Sequence, residues 1–245
     1  NHGTLNMTAG GVISLSSNLG TIVAAQQMND GEFHRYLTKF GFGQLTGIDL
    51  PEETRGLVTP AAQWTRSKHA TTSFGQGISV NAVQMVRGVG AIANGGVMCN
   101  PTIADSSIDA EGKRTALNEP KTTRVVSREA SSEVTRMMEG VVADDGTARA
   151  AKIEGYRVAG KTGTAWRVNP ETGRYVRGQH TVSFAGFAPA DRPRFVTYVV
   201  IDNPPSSDGG GSLAAPVFQD IMSMALERFG VPPTGSKSPK VKHYW

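Results

Sequence analysis

Residues 155–165 read GYRVAGKTGTA, and two local structures compete for them. Gly155, Gly160, Lys161 and Thr162 fit the phosphate-loop template G-x-x-x-x-G-K-[ST]. A phosphate loop needs a strand before its first glycine and a helix directly after Lys-Thr, because the helix N-terminus supplies the amides and the dipole that hold the anion. Here the order is reversed. "YRVA" has strand character yet lies inside the supposed loop. Thr162 is followed by Gly163, Trp166, Val168 and Asn169-Pro170, which start helices poorly. The segment is therefore expected to be a strand carrying Lys161-Thr162-Gly163. Side chains alternate on a strand, so Lys161 shares one face with Gly163, and Thr162 shares the other with Thr164. The glycine leaves room for a ligand backbone to lie alongside.

Downstream, "TVSFAGFAPA" and "RFVTYVVID" read as two more strands, reached through the turn residues "NPETGR" and "ADRPR". Such tight links favour antiparallel neighbours. "SLAAPVFQDIMSMALERFG" closes as a helix, with Pro216 tolerable near its first turn and Gly230 after its end. Upstream the texture is helical. Helices are expected over "SLSSNLGTIVAAQQM", with Ser16 or Ser17 as cap and Asn18 in the first turn, and over "GEFHRYLTKFGFG". "SVNAVQMVRGVGAIANGG" follows, with Val83, Val86, Val89 and Ile92 inward, then "SREASSEVTRMMEGVVADDG", with Val134, Met137, Met138, Val141 and Val142 inward. One short turn is expected near Trp64 and a polar hairpin within residues 100–124. Helices, then strands, then a helix argue an α+β fold with an antiparallel sheet.

The 245 residues suffice for one large domain or two small ones. With 38% hydrophobic residues a core can form, and 29 glycines and 13 prolines without period exclude a collagen-like chain. The formal net charge is +4. No arginine stripe with interleaved aromatics accompanies it, so no nucleic-acid partner is expected. A single cysteine, Cys99, allows neither an internal disulfide nor a cysteine metal site. The histidines lack metal-ligand spacing, so no metal and no cofactor are expected. No run approaches 18 apolar residues. The opening "NHGTLNM" suggests a piece of a longer protein.

One further motif joins the Lys-Thr-Gly strand. Ser16-Ser17-Asn18 fits S-x-N ahead of a helix, and S-x-N with K-T-G belongs to the signature of penicillin-recognising serine enzymes. With "SSN" and "GKTGTA" stand "TGIDLPEE", "SFGQGISVNAVQMVRGVGAIANGG", "SFAGFAPADRPRFVTYVVIDNP" and "AAPVFQDIM". Together they make the chain resemble the transpeptidase domain of class B penicillin-binding proteins, the division-type peptidoglycan D,D-transpeptidases. The resemblance runs to about Gly230. It implies an antiparallel sheet flanked by helices, the serine β-lactamase-like fold, over residues 1–230, with 231–245 left as a basic flexible tail. One departure is large. The family nucleophile is the serine of S-x-x-K, upstream of S-x-N, and no such pattern precedes Ser14; the serine- and lysine-bearing tail is in the wrong place. The N-terminal part of the domain is therefore expected to lie outside this chain.

The roles that follow are implied by the resemblance. Ser16 relays a proton toward the leaving nitrogen, Asn18 holds the substrate's amide, and Lys161 sets a positive field and bonds Ser16; these three are the catalytic group. Thr162, Gly163 and Thr164 bind substrate, with the threonine hydroxyls on the terminal carboxylate of D-Ala-D-Ala or of a β-lactam. The backbone N–H of Thr164 donates to the oxyanion. Stem peptides, β-lactam antibiotics and a division glycosyltransferase with other division proteins are the implied partners. The implied location is the extracytoplasmic face of the bacterial membrane, anchored by a segment outside this chain. The alternatives are a D,D-carboxypeptidase or β-lactamase-type relative, or a non-catalytic β-lactam sensor. Blander readings stand beside these. Ser16 and Asn18 can serve as helix caps, and Lys161 as a solvated strand residue. His180 is expected to be structural, His34 and His69 to lie at the surface or at caps, and Asp49 to fix a loop.

Overall fold

The sheet that carries Lys161 is three-stranded and antiparallel, in the order β5 (Ala159–Val168), β6 (Tyr175–Ala188), β7 (Phe195–Asp202). Lys161 faces Ala185 and Thr162 faces Phe184 across the β5–β6 register. The computed structural model describes residues 5–48, 50–116, 121–169 and 171–245. Asp49 lies outside them.

Both faces of the sheet are covered, so β6 reads as a nearly continuous apolar run over 182–188 rather than as an alternation. On one face, helix α7 (Gly210–Arg228) lays Phe218, Met222 and Leu226 against Phe184 and Val199. The Phe184 and Phe218 rings meet edge-on at 4.7 Å between centroids. Gly160 makes room for this pair, since a Cβ there would come within 2.2 Å of the Phe184 ring. On the other face, α5 (Ala82–Ala93) and α6 (Arg128–Val142) bury Phe187 with Met138, Ala159 and Ala190. Each fully buried phenylalanine contributes about 1.5–3 kcal/mol. The expected α6 face holds at Val134, Met138, Val141 and Val142.

On α5 the expected valine stripe is only half right. Val89 and Ile92 pack inward, but Val86 is exposed, and the buried positions are Gln84, Gly88 and Ala91. Small residues face inward there because Phe42 crosses close to the helix, 3.3 Å from a Cβ placed on Gly88. Buried Gln84 closes a capping box with Asn81 and donates to the carbonyls of Gln44 (2.6 Å) and Arg55 (3.0 Å). It thereby pins the stretch from Gln44 to Arg55.

The N-terminal helices are α1 (Ala9–Ser14), α2 (Asn18–Ala25), α3 (Asp30–Lys39) and α4 (Arg66–Ser73). The region around Trp64 holds more helix than the expected single turn: a 3-10 turn over Ala61–Gln63 and then α4, capped by Thr65. His69 of α4 is buried, not superficial. Its Nδ1 lies 2.5 Å from Asp30 Oδ1 and its Nε2 3.1 Å from the Ala25 carbonyl, under Phe33 and Trp64. The polar stretch 100–124 contains the expected hairpin, β2 (Ser106–Ile108) with β3 (Arg114–Ala116), while β1 (Val97–Cys99) pairs with β4 (Thr122–Arg124).

Two boundaries near the C-terminus differ from expectation. Helix α7 begins at Gly210, so Pro216 sits in its second turn rather than its first. Gly209, Gly210 and Gly211 let the helix start early, tucked under the sheet. A Cβ on Gly210 would lie 2.1 Å from the Ser183 carbonyl oxygen, and one on Gly211 2.0 Å from that of Thr147. Gly210→Ala is expected to cost about 1–3 kcal/mol, the scale of overpacking against immobile backbone; a lower urea midpoint at unchanged slope checks it. The residues after Gly230, expected to hang free, run back along the body. Tyr156 Oη donates to the Val231 carbonyl at 2.6 Å, and Met7 forms a β-bridge with Tyr244.

Candidate functional site

Strand β5 forms one edge of its sheet, and no described strand pairs with its outer side. Its amides and side chains from Lys161 to Thr164 are thus free to front a cleft. The chain past Thr162 continues as strand to Val168, with no helix starting there, which removes the phosphate-loop reading.

Ser16 sits in the three-residue link, Leu15 to Ser17, between α1 and α2. Its amide donates to the Ile13 carbonyl at 3.3 Å, and the Ser17 amide to that of Val12 at 3.0 Å. Ser17 is the residue that caps α2, its hydroxyl accepting from the Gly20 amide at 3.2 Å. Ser16 is thereby left free of capping duty, and its backbone adopts φ 54°. A non-glycine residue in this left-handed region costs about 1–2 kcal/mol. Such strain persists only where surrounding structure enforces it, and it concentrates at functional positions.

The Ser16 hydroxyl meets Lys161, whose Nζ lies 2.7 Å from Ser16 Oγ. The same ammonium reaches the Thr162 carbonyl at 3.1 Å and Thr162 Oγ1 at 3.3 Å. All three of its protons are then used. An ammonium can only donate, so the oxygens of Ser16 and Thr162 accept, and each keeps its own O–H proton for a partner in the cleft. Burial lowers the Lys161 amine from 10.5 to about 8. Gly163 follows, where a Cβ would stand 2.4 Å from Ser183 Oγ. Thr164 is exposed at the strand edge.

The structure therefore joins Ser16, Lys161 and Thr162 in one hydrogen-bonded group, with Gly163 and Thr164 next along the strand. Asn18 is exposed on the first turn of α2, and Lys161's three bonds do not include it. The arrangement has a defined chemistry. A fixed cation lies behind a hydroxyl whose proton faces outward, beside two threonine hydroxyls that can receive a carboxylate.

Thr147 was not legible as part of this group. It follows Gly146 in the loop after α6, and its hydroxyl lies 3.3 Å from Thr162 Oγ1. Its amide donates to the Ser14 carbonyl at 3.3 Å. Thr162 Oγ1 already accepts from Lys161, so its proton can rest on Thr147 while the cleft is empty. A Gly-Thr pair fifteen positions before Thr162 carries no periodic signal. Among the described residues, no cluster of three or more His, Cys, Asp or Glu is arranged to hold a metal ion.

Residues 1–223 match the family described as the penicillin binding protein transpeptidase domain. The penicillin-binding protein PbpB of Mycolicibacterium smegmatis is 40% identical over 98% of this chain and 38% of its own length. The stage V sporulation protein D of Bacillus subtilis is 41% identical over 96% of this chain and 36% of its own length. The chain thus spans less than two-fifths of these relatives. Among solved structures, penicillin-binding protein 3 from Mycobacterium tuberculosis complexed with ampicillin superposes with a TM-score of 0.92 at 38% identity, covering all of this chain and 56% of that one.

Proposed function

Because this chain belongs to the penicillin-binding protein transpeptidase family, we propose that it forms the C-terminal part, residues 1–230, of the catalytic domain of a peptidoglycan D,D-transpeptidase. In this reading the whole protein cross-links stem peptides during septal wall synthesis and is acylated by β-lactams. The observation that supports it best is the 2.7 Å contact between Lys161 and Ser16, two residues 145 positions apart. No S-x-x-K occurs among the 245 residues, so the nucleophilic serine comes from elsewhere in the protein.

The proposed reaction is acyl transfer. The nucleophile's oxygen bonds to the carbonyl carbon of the penultimate D-Ala while its proton passes toward the lysine of S-x-x-K. The Thr164 N–H, with the nucleophile's own N–H, holds the oxyanion; one such donor contributes about 3–4 kcal/mol. As the C–N bond breaks, Ser16, held in place by Lys161, gives its outward-facing proton to the departing amine and takes up in its place the proton that the S-x-x-K lysine received from the nucleophile. Thr162 and Thr164 bind the substrate's terminal carboxylate, and Asn18, exposed at the start of α2, binds its amide side. An amine of a second stem then attacks the acyl-enzyme. We place this chemistry at the outer face of the cell membrane, with a glycosyltransferase and other division proteins as partners. No helix among the described residues is long and apolar enough to cross a membrane, so the reading assigns the anchor to another part of the protein.

Fluorescent-penicillin labelling of the full-length protein tests the reading. Stable labelling is expected, slowed by about 10²-fold in Ser16→Ala, the usual worth of a positioned proton donor. Rapid turnover of the label would instead mark a β-lactamase. Absence of labelling would mark a domain that no longer catalyses.

A further inference from the structure

We propose that residues 241–245 act as a clamp that positions Ser16, with His243 as its central residue. The inference rests on the transpeptidase reading for its kinetic consequence but on contacts alone for its structural one. Three glycines make a notch between α1 and α6. A Cβ on Gly10 would approach Val241 Cγ1 to 2.7 Å, one on Gly11 would lie 2.1 Å from the His243 carbonyl oxygen, and one on Gly140 3.0 Å from Val241 Cβ. Val241 and His243 fill that notch, and His243 is buried.

Main-chain bonds then tie the segment down. The Thr8 amide donates to the His243 carbonyl at 3.0 Å, and the Trp245 amide to the Asn6 carbonyl at 3.0 Å. The Thr8 hydroxyl, which caps α1 through the Gly11 amide, also donates to the Lys242 carbonyl. Helix α1 has only six residues, too few to hold itself in water. Its position comes from α6 on one side and from this segment on the other. Ser16 follows two residues after α1 ends.

The clamp also reaches the second wall of the site. His243 Nδ1 lies 3.5 Å from Asp145 Oδ2. Asp145 leads through Gly146 to Thr147, whose amide bonds the Ser14 carbonyl and whose hydroxyl meets Thr162. One short segment thus braces both the helix that delivers Ser16 and the loop that backs Thr162. A displacement of about 1 Å at a reacting group can cost on the order of 100-fold in rate, so a loose α1 registers in acylation before it registers in folding.

The experiment compares the full-length protein with a deletion of residues 241–245 and with Gly11→Ala, which keeps the segment but drives His243 out of the notch. Both variants are expected to show about 10- to 100-fold slower acylation at saturating fluorescent penicillin. A peptide of residues 238–245 added in trans should restore the deletion variant saturably, which a general loss of stability would not allow. Hydrogen exchange at the Thr8, Ser16 and Ser17 amides should rise in both variants, a readout independent of activity. Wild-type rates with unchanged exchange at Ser16 and Ser17 would overturn the clamp. If the deletion variant fails to fold, Gly11→Ala decides alone. If the wild-type protein takes no label, the transpeptidase reading falls and amide exchange alone judges the clamp.

Discussion

Lys161→Met in the full-length protein should slow β-lactam acylation by about 10³-fold while raising, not lowering, thermal stability. The two effects have one origin. In the fold the amine sits behind Ser16 and Thr162, and burial brings its pKa from 10.5 to about 8. Between about 8 and 10.5 the unfolded chain holds a proton that the folded chain has released, so stability rises with pH across that window. Below it, the folded protein keeps a charge it would shed more readily than the unfolded chain, and that charge costs stability at neutral pH. Methionine fills similar space without charge, so Tm should rise by a few degrees, ~2–5 °C. The cost is retained because the ammonium fixes the direction of the Ser16 and Thr162 protons. The wild-type acylation profile should also fall as pH rises through about 8, and this limb should vanish in the variant. A variant that labels at the wild-type rate would remove Lys161 from the mechanism; one that melts lower would refute the burial argument.

Arg157→Ala should be the most destabilising single change away from the site. Glu139 of α6 is almost wholly buried, and Arg157 holds it with two bonds, Nε to Oε2 at 2.8 Å and Nη2 to Oε1 at 2.6 Å. The Arg157 carbonyl also accepts from the Ala190 amide at 2.8 Å. This pair fastens α6 to the segment leading into β5, two residues before the strand that bears Lys161. Removing the guanidinium strands a carboxylate in the interior, which costs about 3–5 kcal/mol, or a fall in Tm of ~10 °C. Replacing both partners by apolar residues of similar volume should recover most of that loss, because the desolvation of both charges disappears with their attraction. Calorimetry of the single and double variants separates the two terms. A double variant as unstable as the single would show that packing, not the stranded charge, sets the cost.

Much of the site was readable in linear order. The strand at Lys161 followed from Gly163, the β-branched residues and Asn169 after it, none of which starts a helix. The helix after Ser17 followed from its cap, and α6 from apolar residues at helical spacing. Each reading depends on neighbours within a few positions, where backbone preference and side-chain period are written directly into the residue order. The same rules misplaced what depends on distant partners. Val86 has the right spacing for a buried face but points outward, because Phe42 demands small residues on the other side of α5. Pro216 looked like a first-turn residue because the start of α7 depends on two glycines, Gly210 and Gly211, fitting against the Ser183 and Thr147 carbonyls. Val241 and His243 looked like part of a solvated tail because the notch they fill is made of glycines on two helices more than a hundred positions earlier.

By itself the residue order determined that Lys161-Thr162-Gly163 lies on a strand, that Ser16 and Asn18 stand at a helix start, and that the sheet is antiparallel. It also determined, through the assembled motifs, the family. Only the tertiary structure decided that Ser16 takes a left-handed backbone and faces the ammonium at 2.7 Å, that Thr147 backs Thr162, and that residues 241–245 close over α1. The physical reason is one of range. Secondary structure is chosen by forces acting within a turn or two of chain. Which hydroxyl meets which amine is chosen by the packing of surfaces that become neighbours only when the chain closes on itself.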